Sequence, residues 1–358
     1  MKGQEVFNYV LYVAPDYRRW KGGISSVITE YKKSIKYFHF FPSTTSSNIV
    51  VTTLSFLPLL LLFAGKLLIT PRLKIVHIHG ASKGSFYRKY IIYLIAKKVF
   101  NRKVVYHIHG AGYHLFYQNS ASAIKERVNN MINGSDALVV LSSWWKDYFK
   151  SHFDPKLIEI IPNMVDEAIP LKTVAQDKSR TNLLFLGRIG DRKGIFDLID
   201  VIISNKDFFQ AHCKLFVGGD GEVNKLNQLI NQHEIQNIVS YIGFISGYQK
   251  AEMISNADIY VLPSYNEGLP ISILESMAYA KPIISTKVGG IPEVVIENQN
   301  GLLIEPGDKK ALFHSIERLV KNKEDRLNFG RESFKIVEAN YFPKPVIERL
   351  ISLYQKIL

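Results

Sequence analysis

Two carboxylates, Glu267 and Glu275, stand eight residues apart within the stretch 258–294. Ionised carboxylates accept hydrogen bonds from hydroxyls and can act as general bases. Glu267 falls on a polar turn (263–268) after an apolar strand (259–262), and Glu275 on a helix opened by Pro270. Proline suits a helix's first turn, where a missing N–H is no loss. The free N–H groups of that helix end suit a phosphate or a sugar hydroxyl. Arg188 and Lys193 flank a second strand-to-helix loop, RIGDRKG. Two cations beside a helix N-terminus would neutralise a diphosphate, and solvated loop charge is the plainer alternative.

Histidines form the third group. HIHGAS (77–82) and HIHGAGYH (107–114) each close an apolar strand, at 74–79 and 104–109. Alternation along a strand puts His77 with His79, and His107 with His109, on one face. His109, next to glycine at a strand end, is the candidate hydrogen-bonding or acid/base group near a sugar. His77 and His107 are expected to be satisfied within the sheet, and His114 is undecided. Gly22 and Gly23 sit at an early strand-to-helix turn, where Arg18, Arg19 and Lys21 would favour an anion.

These groups must be carried by ordinary α/β elements. A chain of 358 residues with 47% apolar and 22% charged composition fits two domains. Apolar runs ending in turns recur throughout, beginning at residues 6–14 and restarting at NLLFLG (182–187). A polar stretch to about residue 181 separates the two rounds. The lone cysteine, Cys213, excludes an internal disulfide and a cysteine metal cluster, and reads as a core residue. Trp144, Trp145, Tyr148 and Phe149 at helical spacing read as packing. There is no GxxxxGK[ST] loop, and GGDG (218–221) lacks the remainder of a dinucleotide fingerprint.

The formal charge of +13 implies an anionic partner, yet no zinc-finger spacing or RNA-binding box supports nucleic acid. No secretory signal is expected before the first strand. Residues 49–69 hold a continuous apolar core of only ten residues (56–65), which Pro58 interrupts. A spanning helix needs roughly 20 apolar residues, so a buried or interfacial helix is expected.

FLGRIGDRKG, VGGDGE, YIGFIS, the Glu267-to-Glu275 spacing, STKVGGIPE and NGLLIEPGD together resemble the retaining glycosyltransferase family 4. They follow the family's order over about half the chain. GGISSV, HIHG, LSSWW and PNMVD extend the likeness more loosely into the N-terminal half. The resemblance implies a GT-B fold, two Rossmann-like parallel-sheet domains facing a cleft. It implies an acceptor-binding domain over 1–165, a linker over 166–180 and a nucleotide-sugar domain over 181–340. A last helix, 341–358, would cross back to the first domain.

It also implies roles. Arg188 and Lys193 would bind the diphosphate, Glu275 the ribose hydroxyls, and Glu267 the transferred sugar. Gly268 and Leu269 would offer backbone N–H groups, and Ile245 would border the base. Gly22 and Gly23 would approach the phosphates, and His109 the donor sugar. Asn163 is the second residue of PNMVD, where Met164 replaces the family's usual glycine. No DxD pair is present, so neither a metal nor another cofactor is expected.

The activity implied is metal-independent hexosyl transfer from a UDP- or GDP-linked sugar to a glycan or polyprenyl-linked acceptor. Such chemistry belongs to cell-surface polysaccharide synthesis, in the cytoplasm or peripherally on the membrane's inner face. A nucleotide-sugar epimerase or sugar-phosphate synthase would share the fold, as would a non-catalytic partner protein. The intact set Arg188, Lys193, Glu267 and Glu275 argues against the last.

Overall fold

The computed structural model describes residues 3–19, 22–44, 48–167 and 180–358. Trp20, Lys21 and residues 168–179 of the expected linker lie outside the described residues. The chain divides into two compact units, Met1–Met164 with Pro343–Leu358, and Val165–Phe342.

The first unit is built on β1 (Val10–Pro15), β2 (His39–Thr44), β3 (Ile75–Gly80), β4 (Lys103–Ile108), β5 (Ala137–Val140) and β6 (Ile158–Ile160). They form one parallel sheet in the order β2-β1-β3-β4-β5-β6. The second unit carries β7 (Thr181–Leu186), β8 (Cys213–Gly218), β9 (Val239–Tyr241), β10 (Ile259–Leu262), β11 (Ile283–Thr286) and β12 (Gly301–Ile304). These also pair in parallel, in the order β12-β11-β10-β7-β8-β9. Strands covered on both faces read as unbroken apolar runs, as ALVV of β5 and IYVL of β10 do. The imidazoles of β3 and β4 interrupt that rule. Cys213 is buried at the start of β8, and burial pushes its thiol up to about 12, so it belongs to the core.

Three local expectations need correction. Residues 6–14 are not one strand: Gly3–Tyr9 is a 3-10 helix, and β1 begins at Val10. Phe7 packs edge-on against Tyr354 of the C-terminal helix Pro343–Ile357, while the Gln4 side chain bonds Ser34 O and Lys36 N. These contacts fix a helical turn where composition alone suggested an extended run. Secondly, Pro58 does not interrupt the apolar segment, because Ile49–Ile69 is one helix with Pro58 inside it. Pro58 and Leu54, the carbonyl four residues back, both lie on the exposed side, where a lost backbone bond is tolerated. Asn48 caps this helix through its side-chain oxygen.

Thirdly, of the two settings expected for that helix, buried or interfacial, the buried one is overturned. Phe63 and Leu67 are fully enclosed, but Leu54 is 75% and Leu61 68% exposed. It is long and apolar enough to cross a membrane, by length and composition only. Two short helices, Tyr113–Gln118 and Lys206–His212, escaped the sequence reading.

Candidate active site

In the second unit the chain runs from β7 outward to β8 and β9, then returns to place β10 on β7's other side. Loops leaving two such strands diverge to opposite faces, opening a crevice at their carboxyl ends where open α/β sheets bind ligands. The β7 loop carries Arg188 and Lys193, and the β10 loop carries Ser264 and Glu267.

The structure joins those loops. Lys193 Nζ forms an ion pair with Glu267 Oε1, and the same oxygen accepts from Ser264 Oγ at 2.8 Å. Arg192 Nη1 stands 3.8 Å from the other carboxylate oxygen and donates to Asn266 O at 2.9 Å. Glu267 is buried and Lys193 nearly so, which strengthens their attraction over that of a surface pair. Gly194 lets the loops meet. Its φ of 68° is left-handed, and a Cβ there would overlap the Pro263 carbonyl.

Glu275, on helix Ile271–Ala278, forms an ion pair with Lys250 of helix Gly247–Asn256. Both carboxylates act on Tyr260, the buried β10 phenol that donates to Leu186 O at 3.0 Å. Burial first, then these two charges, hold that phenol well above its ordinary value. Arg188 is exposed, its stem running beside Gly221, and it makes no ion pair among the described residues. Ile245 lies against Gly218 at the end of β8. Gly268 and Leu269 are buried, and the Gly268 carbonyl accepts from Gly290 N at 2.8 Å. Lys250 was missed by sequence reasoning, because a helical lysine outside any motif gives no signal.

The first unit gathers its histidines as the strand alternation implied. His79 is the register partner of His107 across β3 and β4. His77 Nδ1 lies 2.5 Å from the Tyr354 hydroxyl, which itself bonds Tyr12 Oη, and His77 Nε2 lies 3.2 Å from His107 Nδ1. His77 and His107 are thus bonded inside the fold. Nitrogens of His77, His79 and His107 lie within 4.8 Å of one another. Both of His77's are already engaged, so the group reads as a hydrogen-bonded core.

His109 Nε2 pairs with His79 Nδ1 at 2.8 Å, and the ring also bonds Asn163. Burial pulls His109 down to about 3, against the opposing Asn163 bond, so the ring is neutral near pH 7. A neutral imidazole donates or accepts a hydrogen bond without bringing charge. His114 is partly buried among Trp144, Trp145 and Tyr148, and burial holds it below its ordinary value.

Lys89, on helix Gly84–Leu94, is fully buried and donates to Ser85 Oγ at 2.7 Å. Burial, reinforced by Arg88, lowers it to about 7. It was invisible in the sequence, where lysines default to the surface. Gly22 caps helix Gly23–Ser34 at φ 153°, a backbone that favours glycine, and faces open space. Arg18 is held by the buried Asp16 at 2.8 Å, which leaves it less available to an anion than expected.

Two family models match this chain, glycosyl transferases group 1 over residues 171–336 and glycosyltransferase family 4 over residues 30–168. The chain belongs to the family 4 glycosyltransferases. An uncharacterized glycosyltransferase of Methanocaldococcus jannaschii is 33% identical over 219 residues, covering 56% of this chain and 60% of that protein. A putative colanic acid biosynthesis glycosyltransferase of Escherichia coli is 26% identical over 182 residues, 49% of this chain and 45% of that one. The chain spans about half the length of the curated relatives it matches. The Anabaena protein HepE, solved with UDP-glucose, superposes with a TM-score of 0.76 at 18% identity, covering 97% of this chain and 99% of its own. That likeness shows the fold, which is GT-B.

Proposed function

We propose that this family 4 glycosyltransferase moves a hexose, with retention, from a UDP-sugar to a glycan or lipid-linked acceptor in cell-surface polysaccharide synthesis. The observation that carries the reading is the Lys193–Glu267 pair at the β7/β10 strand-order reversal, with exposed Arg188 on the same loop. Support for the donor class comes from HepE, solved with UDP-glucose, and for the pathway from the colanic acid relative's name.

In this reading Arg188 and Lys193 take the diphosphate, whose charge grows as the bond to the sugar's anomeric carbon breaks. The acceptor hydroxyl attacks the same face, and its proton passes to the departing phosphate oxygen. Glu267 faces the sugar, Glu275 the ribose hydroxyls, and Ile245 borders the base. Backbone at Gly268 and Leu269 completes the donor's surroundings. The two side-chain cations supply the leaving-group neutralisation a metal would otherwise provide.

A thermal-shift panel of UDP- and GDP-sugars tests this. A ligand that binds only the folded chain raises the midpoint, and the cognate donor should raise it most. Lys193→Ala should erase the shift. If no nucleotide-sugar moves the midpoint, the donor site is wrong.

A further inference from the structure

Between Glu30 and Glu126 the sequence contains no acidic residue at all. Residues 31–125 hold 14 Lys and Arg and no Asp or Glu. This one stretch therefore carries a charge as large as the whole chain's net excess of +13. Near its middle lies helix Ile49–Ile69.

That helix has two distinct sides. Val50, Leu54, Leu57, Leu61 and Leu68 recur at helical spacing and are all exposed, while Thr52, Phe63 and Leu67 on the opposite side are buried. A contiguous stripe of exposed leucines is not normal for a surface in water. Its C-terminal end meets cations. Lys66 donates to Phe40 O, Arg102 donates to Leu67 O and Pro71 O, and exposed Arg72 and Lys74 follow in the chain.

We propose that this helix is an in-plane anchor, laying its leucine stripe into one leaflet of an anionic bilayer while the surrounding cations meet the headgroups. The proposal deepens the lipid-linked acceptor reading above and rests on it for the acceptor's location. Charge complementarity selects an anionic lipid surface, since the patch is both basic and apolar. Nucleic acid would use the cations but leave the leucines in water. Phe63 and Leu67 decide between lying on the membrane and crossing it. Both are fully buried in the first unit's core, and Leu67 O is held by Arg102. Crossing would tear them out, whereas lying flat leaves them in place.

The test is co-sedimentation of the full chain with phosphatidylcholine vesicles, with and without phosphatidylglycerol. Binding is expected only with the anionic lipid, and should weaken several-fold on raising salt from about 0.1 to 0.5 M as screening grows. The triple variant Leu57→Gln, Leu61→Gln, Leu62→Gln alters exposed side chains only, so it should fold with an unchanged melting midpoint. It should lose at least tenfold in vesicle partition. Arg72→Glu with Lys74→Glu should lose the anionic preference while keeping the fold. Failure of the native chain to bind, or a triple variant that binds as well as native, overturns the proposal. Resistance of the bound chain to an alkaline carbonate wash would overturn the in-plane mode. A solution dimer that the triple variant dissociates, with no vesicle binding, would assign the stripe to a second copy instead. UDP binding measured without lipid separates the two readings: intact nucleotide affinity with no vesicle binding sinks the anchor alone.

Discussion

Lys193 and Glu267, on loops leaving the adjacent parallel strands β7 and β10, hold each other in an ion pair that Ser264 shares. The cation assigned to the donor's phosphates is therefore preset by the carboxylate assigned to its sugar. Removing one changes the other. In Glu267→Gln, Lys193 loses a competitor for phosphate, so UDP affinity should hold or rise. Turnover should fall by at least about 100-fold, since a positioned charged hydrogen bond is lost from the reacting sugar. Calorimetric titration with UDP alongside steady-state rates checks the split. A parallel loss of both would place Glu267 at the nucleotide instead.

Glu275 and Lys250 make the second pair of this unit. If Glu275 accepts the ribose hydroxyls, Glu275→Ala should weaken UDP binding at least about tenfold, in keeping with a hydrogen bond to a charged group. Lys250→Ala should do less, because it removes only the carboxylate's resting partner. Equal losses would show that the pair acts as a unit, and unchanged affinity in Glu275→Ala would refute the ribose role.

Gly194 admits no side chain without moving Pro263, and its φ of 68° adds strain for any L-residue. Gly194→Ala should cost about 1–2 kcal/mol for the left-handed backbone alone, with the clash added. Because the loops it joins carry Lys193 and Glu267, UDP affinity should fall with stability. Chemical denaturation and UDP titration of one preparation measure both.

Lys89 is depressed to about 7 by burial, while an unfolded lysine titrates near 10.4. Between those values the unfolded chain binds more protons, so stability rises as pH climbs from about 7 to about 10. Below pH 7 both states are protonated and this dependence stops. Lys89→Met should flatten the rise and lift the melting midpoint at pH 6.5 by several degrees. An unchanged midpoint and slope would mean that water reaches the ammonium.

The opposite window belongs to the histidines. His109 is held at about 3 by burial, and its unfolded value is near 6.5. The unfolded chain therefore binds the extra proton between those limits, and stability falls as pH drops through them. Trp144 and Trp145 belong to the first unit, so their fluorescence reports that unit's acid transition. His79→Leu should move the transition to lower pH. A transition unmoved by this change would assign acid sensitivity to other groups.

Much of this was legible in the chain. The β10–Pro270–helix passage, the strand bearing Cys213 and the histidine alternation follow from apolar periodicity and punctuation, and the structure reproduces them. The 3-10 turn at Gly3–Tyr9 was not legible, because its cause is Tyr354, about 350 residues away in sequence. Pro58 misled for a related reason: whether proline breaks a helix depends on which side it faces. At the site, the loop cations and carboxylates were readable from types and spacing. That Lys193 would be bound to Glu267 was not, since loop geometry brings together residues 74 apart. Lys89 and Lys250 sat in no pattern.

The helix Pro343–Ile357 fills the first unit's core with Val346, Leu350, Leu353 and Tyr354, the last bonded to His77 and Tyr12. The unit whose strands leave the ribosome first is therefore the one that closes last. While residues 165–342 are synthesised, the face of β1 and β3 that Tyr354 covers is closed only in part, by Tyr31, and the second unit has its whole sequence before the first does. Cutting the gene after residue 342 should yield a soluble second unit beside an unfinished first one. A nascent chain stalled at that length is a natural client for a chaperone.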